Sequence, residues 1–535
     1  MAMTDTKEMP LWMPQKSVEE LKKIEEKKAR EHFKVSLRDR ISILLYARTN
    51  KQIWHTMPFF IMHLLASAYA DVSSLELVRV SSRSKFGPIT NIMKRVGAMV
   101  DLGVDLSRSC ELVRKEIKTV YLRDFLQRFA QIAKIGEDMI TFLTKEYNSF
   151  MTMYSSEMER TLNRLKRFAE AYSAILSASV LIVLILVFTS MLWGAGIEAT
   201  GIAMPAIIGI YAIFGFIFYM NSPSIRMVSK NYVDKDLKST IRISRITWKV
   251  TLALNIFLVS MLIFERISFQ IGILGVALSG LPSLLIGYIG LKRSGKIGVI
   301  DERFPEFITM LTTSLSTTGA SLTYAFREVT KLDFGKLTPY VRRMSSRLDL
   351  GINKSVAWEN LKKETSSELV GVHVDAISDA NKLGAQAKLY GPLIVNSALF
   401  SLTLRRKVEE TSAFMKGIVV PIHPILCAII GLIMAILTQF VQIFTQFEEQ
   451  GLPLIFASVP SLAALNTYIY ILIATLTFVN AIIIHEISGE QEFSLPFYLG
   501  LFIVTGWMTY LVCFTSVAAY LENIGLSRMI DITGF

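Results

Sequence analysis

Cysteine is nearly absent, with only Cys110, Cys427 and Cys513 in a chain of 535 residues. Three thiols, two of them inside apolar runs, offer no disulfide framework, and Cys110 reads as an ordinary reduced thiol. Histidine is sparse too, and the six residues are isolated. His485-Glu486 begins a zinc-protease pattern, but Gly489 stands where the second histidine is required, so a metal would lack a ligand. The stretch from Gly290 to Ile297 imitates a phosphate-binding loop through Gly295 and Lys296. It puts Ile where a magnesium-holding Ser or Thr belongs, and no β-strand precedes it. No paired carboxylates fall within an apolar run, which excludes a proton relay. The first fifty residues are rich in Lys, Arg and Glu and have no apolar h-region, so no cleaved signal is expected and the N-terminus is expected in the cytoplasm. These gaps predict a protein that is not an enzyme, with no catalytic residue, cofactor or metal and no nucleic-acid partner.

What is plentiful is apolar surface and positive charge. The chain is 52% hydrophobic yet carries 57 Lys+Arg against 45 Asp+Glu, with a mean hydropathy of +0.43, so charge and apolar residues must be segregated along it. Seven segments are apolar enough for the roughly 20 residues of helix that cross a bilayer: 172–193, 202–220, 248–264, 270–291, 417–444, 464–484 and 496–520. Arg226, Lys230, Lys235, Lys238, Arg242 and Arg245 lie between the second and third, and Lys292, Arg293 and Lys296 follow the fourth. The opposite connections carry Glu198, the pair Glu265 and Arg266, or Glu448 and Glu449. The positive-inside rule then puts the long polar regions in the cytoplasm. The last connection, with Glu486, Glu490 and Glu492 and no Lys or Arg, leaves the orientation of the final hairpin open.

The polar regions repeat one pattern. Phe86, Gly87, Thr90, Arg95, Asp101, Leu102, Gly103, Ser107, Glu111, Lys115 and Glu116 recur, 248 residues on, as Phe334, Gly335, Thr338, Arg343, Asp349, Leu350, Gly351, Ser355, Glu359, Lys363 and Glu364. That is eleven identities in thirty-one positions, where ordinary residue frequencies give about two. The register extends upstream, pairing Pro58 and Phe60 with Pro305 and Phe307, and downstream, pairing Glu159 and Lys166 with Glu409 and Lys416. Each copy then runs into a long apolar segment. The pattern predicts a duplicated helical unit followed by a membrane helix.

The shared residues suit the joints of a helical bundle. Gly103 and Gly351 sit just past amphipathic runs, where a left-handed residue ends a helix without a Cβ clash, and Asp105 or Asn353 can cap the next helix. Leu106, Val113 and Ile117 follow at helical spacing, with no sustained β alternation. Residues 14–40 alternate Lys, Arg and Glu around Val18, Leu21 and Ile24, as either a solvated helix or a basic helix on the membrane surface. Pro421, His423 and Pro424 mark either a kinked helix with an interfacial histidine or a flexure between polar region and membrane.

Two helical cytoplasmic units with a Gly-centred turn, each leading into membrane helices, resemble the type II secretion system F domain of assembly platform proteins. The extended N-terminal region, the four-helix block between the copies and the run Met415-Lys-Gly-Ile-Val-Val-Pro-Ile-His-Pro are most similar to the archaeal archaellum and type IV pilus platforms. The resemblance covers the chain from about residue 50. It implies an all-α polytopic membrane protein with two homologous cytoplasmic antiparallel helical bundles. The implied division is a charged region 1–50, a first repeat 51–171, four membrane helices 172–291 with inner loop 221–247, a second repeat 292–416 and three membrane helices 417–535. It further implies a multi-pass platform in the cell membrane, a homodimer in the lipid bilayer. Its partners would be a hexameric secretion-type ATPase, pilin-like or archaellin subunits and other motor-complex proteins.

Candidate ATPase contacts are Lys94, Arg95, Arg342, Arg343 and Arg347 in the repeats, with Arg226 to Arg245 in the inner loop. The same charges could instead hold anionic headgroups. Competing classes are an adhesion-pilus platform, a secondary transporter, which also favours internal repeats, and a regulatory membrane scaffold. Against the transporter stand the large polar repeat and the lack of a charged pair in the spans.

Overall fold

Helix is what the backbone must form where long apolar stretches alternate with amphipathic ones at helical spacing, because lipid offers no partner for a free peptide group. The computed structural model describes residues 37–193, 196–223, 225–318, 321–449, 462–489 and 492–523. The charged stretch around Val18, Leu21 and Ile24, and Glu490, lie outside them.

The named elements of the described residues are all helices, joined by turns and short connections. The first unit comprises α1 (Leu37–Ala68), α2 (Ser74–Arg83), α3 (Pro88–Asp101), α4 (Leu106–Arg114), α5 (Val120–Ile135) and α6 (Met139–Trp193). Then come α7 (Gly196–Asn221), α8 (Lys235–Ile263), α9 (Phe269–Ser279) and α10 (Leu281–Thr318). The second unit continues through α11 (Leu322–Val329), a 3₁₀ turn (Gly335–Leu337), α12 (Thr338–Asp349), α13 (Lys354–Thr365), α14 (Glu368–Leu383) and α15 (Ala387–Glu449). The chain closes with α16 (Leu462–Ile487) and α17 (Ser494–Asn523). Seven stretches among the described residues are long and apolar enough to cross a membrane, one in each expected segment. The fourth is made of α9 and α10, which meet at Gly280.

The two units repeat each other contact by contact. The backbone N–H of Phe86 donates to Thr90 Oγ1 at 2.8 Å, and that of Phe334 to Thr338 Oγ1 at 2.7 Å. Phe86 packs edge-on to Phe60 with ring centres 5.8 Å apart, as Phe334 does to Phe307 at 5.7 Å. Arg95 pairs with Glu116 at 2.6 Å, and Arg343 with Glu364 at 2.9 Å. Arg79 reaches Asp101 as Arg327, 248 positions later, reaches Asp349. Exposed pairs of this kind add little stability. Their recurrence at one offset marks two copies of one architecture.

The turn after α3 shows why those residues recur. Gly103, at φ +86°, donates its N–H to Val100 O, while Val104 N–H reaches back to Met99 O at 3.0 Å. Gly351, at φ +74°, and Ile352 do the same to Leu348 and Arg347. This is the double bond of a Schellman ending, which satisfies the last carbonyls of the helix. Asp105 then accepts from Arg108 N–H at 3.2 Å, and Asn353 from Ser355 N–H at 2.9 Å, capping α4 and α13.

Both bundles share one apolar core, which includes Phe60, Leu64, Phe125 and Phe129 of the first and Phe304, Phe307, Trp358 and Tyr390 of the second. Across the seam His63 Nε2 lies 3.2 Å from Asp379, Phe59 packs on His373, and Lys407 pairs with Glu159. A second core lies among the membrane helices, around Tyr172, Tyr211, Leu426, Ile473 and Trp507. Three helices run uninterrupted between bundle and membrane: α10 carries the fourth apolar span, packed on α17, into the second bundle at Phe304 and Phe307, and α6 and α15 join the two cores. α6 runs 55 residues, through positions 171 and 172, and α15 runs 63, through 416 and 417. At 1.5 Å per residue these are rods of about 80 and 95 Å.

Close backbone approach holds α10 on α17. A Cβ on Gly287 would stand 2.4 Å from Phe497 N, and one on Gly500 2.4 Å from Leu284 N. Small residues let membrane helices approach this closely. At Gly103 and Gly351 the reason for glycine differs, because a Cβ would meet nothing within 4 Å. There conformation alone is the constraint. Gly103→Ala or Gly351→Ala should therefore destabilise by about 1–2 kcal/mol, and Gly→Asn by less, read from thermal unfolding of the full chain in detergent. Equal melting of the Ala and Asn variants would contradict this.

Candidate functional site: basic faces and a buried polar chain

Helical phase decides which basic residues face outward. On α3, Ile89, Met93 and Val96 turn into the core, so Lys94 and Arg95 are exposed; on α12, Val341, Met344 and Leu348 do the same for Arg342 and Arg343. Arg95 is engaged by Glu116, and both Arg343 and Arg347 by Glu364. Burial raises the Glu364 carboxyl, but the hydrogen bonds from the two guanidiniums outweigh it and hold the group below the usual carboxylate range. Lys94 and Arg342 occupy equivalent positions, 248 apart, and form no ion pair among the described residues.

The inner segment 221–247 is only partly a free basic surface. Val228 bridges antiparallel to Ser367; Ser229 N–H donates to Ser366 O at 2.9 Å, and Glu368 N–H to Met227 O at 3.1 Å. Burial pushes the Glu368 carboxyl up, while a hydrogen bond from Ser229 and the charges of Arg226 and Lys230 draw it back. Those two cations thus serve an internal carboxylate. Arg245 forks onto Glu492, with Nη2 at 2.8 and 2.9 Å from its two oxygens. Lys235, Lys238 and Arg242 stay exposed on α8.

The Arg245–Glu492 fork bears on the final hairpin. With Ser222 donating to the Glu486 carbonyl at 2.9 Å and Ser412 bonded to Ser488 at 2.8 Å, it puts the α16–α17 connection on the same side as the inner segment. Contacts distant in sequence supply what the charge count left open.

Pro421, His423 and Pro424 lie inside α15, which continues helical across all three. His423 is fully buried in the bundle, not turned to the lipid headgroups. Its Nδ1 lies 3.1 Å from Asn480 Nδ2, and its Nε2 3.2 Å from the Phe502 carbonyl. Tyr172 OH donates to Asn480 Oδ1 at 2.5 Å. The directions are mutually consistent. Tyr172 donates to Asn480, Asn480 donates to Nδ1, and a proton on Nε2 faces the carbonyl, so the chain requires a neutral imidazole. Four helices, α6, α15, α16 and α17, meet on this chain of polar groups. Tyr172 falls opposite Ile422 in the register that pairs Ile175 with Ile425, so one amide joins neighbouring levels of the two repeat helices.

The imitation motifs resolve into packing. Gly290 to Lys296 is mid-helix in α10, where a Cβ on Gly290 would strike the Phe493 ring. His485 Nδ1 is 2.7 Å from Ser494 Oγ. Among the described residues no group of three or more His, Cys, Asp or Glu could hold a metal ion.

A duplicated helical bundle continuous with membrane helices defines a class, and residues 60–192 match the family model of the type II secretion system (T2SS), protein F. The chain is a multi-pass, all-α membrane protein whose first bundle and the membrane helix that leaves it carry that match. It is 21% identical to flagella accessory protein J of Methanocaldococcus jannaschii over 505 residues, 92% of this chain and 88% of that one. It is 23% identical to the protein of the same name from Methanococcus voltae over 352 residues, 64% and 62% of the two chains. No solved structure matches it.

Removing the central amide tests the buried chain. Asn480→Leu leaves Tyr172 and His423 Nδ1 without partners and should cost about 1–2 kcal/mol, read as a lower melting temperature in detergent. Tyr172→Phe combined with Asn480→Leu should add little to that loss. Additive losses would show that the two groups act separately.

Proposed function

We propose that the chain is the platform of an archaellum-type filament assembly machine, with both bundles in the cytoplasm as the repeats 51–171 and 292–416. In this reading a hexameric secretion-type ATPase acts on the bundles, other motor-complex proteins share the site, and the membrane helices guide pilin-like subunits into the filament. The platform works as a homodimer. Similarity to two flagella accessory proteins supports the system, and the inner basic residues support the orientation.

The observation that carries the mechanical part is the continuity of α6 and α15 from bundle to membrane core. A displacement imposed on either bundle has a stiff path into the bilayer. The docking surface is the equivalent pair Lys94 and Arg342, joined by the exposed Lys235, Lys238 and Arg242, while Arg226, Lys230 and Arg245 are engaged within the chain. Arg95, Arg343 and Arg347, held by glutamates, frame that surface.

The test is Lys94→Glu with Arg342→Glu in one chain. Several exposed charges acting together give salt-sensitive association, with screening over about 8 Å at physiological ionic strength. The double variant should insert normally by protease protection, lose co-purification of the ATPase and build no filaments, while each single variant retains part of both. A correctly inserted double variant that binds the ATPase at the parental level would move the docking surface elsewhere.

A further inference from the structure

The segment between α7 and α8 is held more elaborately than a connection needs. Its backbone bonds twice to the α13–α14 junction, and Asp234 N–H adds a third bond, to Ser366 Oγ at 2.9 Å. Ser366 therefore receives the segment with both its carbonyl and its hydroxyl. It does so in the left-handed conformation, φ +54°, with which it ends α13, its own N–H bonded back to Lys362 O at 3.1 Å. The equivalent residue of the first copy, Lys118, has no such φ.

Tyr232 is the centre of the attachment. It is 3% exposed, and its ring lies on α14 so closely that a Cβ on Gly371 would be 2.9 Å from Cδ2. Its hydroxyl donates to Asp375 at 2.8 Å and accepts from Lys362 Nζ at 3.1 Å. Lys362, itself buried, also bonds Asp375 at 2.5 Å and Glu359 at 2.9 Å. From the other bundle comes Lys85. Its ammonium lies 4.2 Å from the Tyr232 ring centre, as does that of Lys362, and 3.5 Å from Glu359. Asn231 Nδ2 donates to the Lys85 carbonyl at 3.5 Å. Three separate parts of the chain thus converge on one aromatic ring, and cation–π and charge-assisted contacts of this kind strengthen when desolvated.

We propose that residues 225–234 are an intramolecular strap, with Tyr232 as its clasp, fastening the α7–α8 membrane hairpin to the second bundle and, through Lys85, to the first. Neither α7 nor α8 grows out of a bundle as α6 and α15 do. The strap gives that hairpin its own tie to the bundles, so a shift of one bundle against the other pulls on a membrane element that has no continuous helix to either. The use of such a pull rests on the platform reading; the attachment does not.

The test is amide hydrogen exchange on the full chain in nanodiscs, followed in peptides covering 226–234, 366–369 and 84–88. In the parent all three should be protected. Tyr232→Ala removes ring and hydroxyl and should raise exchange in 226–234 and 366–369 by about tenfold or more, with a smaller rise around Lys85. Tyr232→Phe, which keeps the ring, should give an intermediate rise, and Gly371→Val, which displaces the ring but leaves every clasp side chain in place, should resemble Tyr232→Ala. Peptides from α16 and α17 should not change, which separates release of the strap from unfolding. Unprotected exchange of 226–234 in the parent, or unchanged exchange in Tyr232→Ala, overturns the strap whatever happens to filaments. Raised exchange with normal filament assembly upholds the strap and removes the purpose that the platform reading gives it.

Discussion

A peptide group in hydrocarbon must find its partner within its own helix, and the structure depends on that constraint where the two bundles meet the bilayer. A helix that ended at the boundary would leave four carbonyls to be satisfied at the edge of the lipid. α6 and α15 avoid this by not ending: each leaves its bundle as the sixth helix of a repeat and becomes a membrane helix without a turn. The stiffness follows from the same hydrogen bonds. What separates the bundles from the membrane is a change of side chains along one rod.

Duplication supplies two such rods, and the differences between the copies show where they are coupled. The Asp301 carboxylate is fully buried and bonded by Arg405 at 2.6 Å and by the Ser367 hydroxyl. The first copy has Trp54 where the second has Asp301 and Ser155 where it has Arg405. A buried ion pair is weak support for stability but specifies geometry, because either charge alone would be costly. It stands beside the junction where the inner segment docks, so the second copy is built to hold a passenger and the first is not. Deeper in the membrane, the Asn480 amide joins the two rods through Tyr172 and His423.

The repeat and its turns were legible because their chemistry is local. A Schellman ending followed by a cap is written in five adjacent residues, Asp101 to Asp105 and Asp349 to Asn353, and the seven apolar runs announce themselves by length. The attachment of the inner segment was not legible. Arg226 and Lys230 read as free cations until Glu368 is brought beside them, and nothing near Tyr232 in sequence points to Lys85 or Lys362. His423 stood out through its flanking prolines, yet its setting depends on Asn480, 57 residues on, and on Tyr172, which is 308 residues from Asn480. The orientation of the last hairpin likewise came from Arg245 and Glu492, a pair 247 residues apart, rather than from loop charge.

Transmission from bundle to bilayer requires α6 to be one stiff element. Lys145 and Leu181 are both exposed on it and lie 36 residues, or ten turns, apart on one face. Nitroxide labels at these two positions, measured by pulsed dipolar spectroscopy in nanodiscs, should give one narrow distance distribution centred near about 54 Å. A broad distribution, or one centred well below that value, would mean that the helix breaks between bundle and membrane and that motion of the bundle is not transmitted along it.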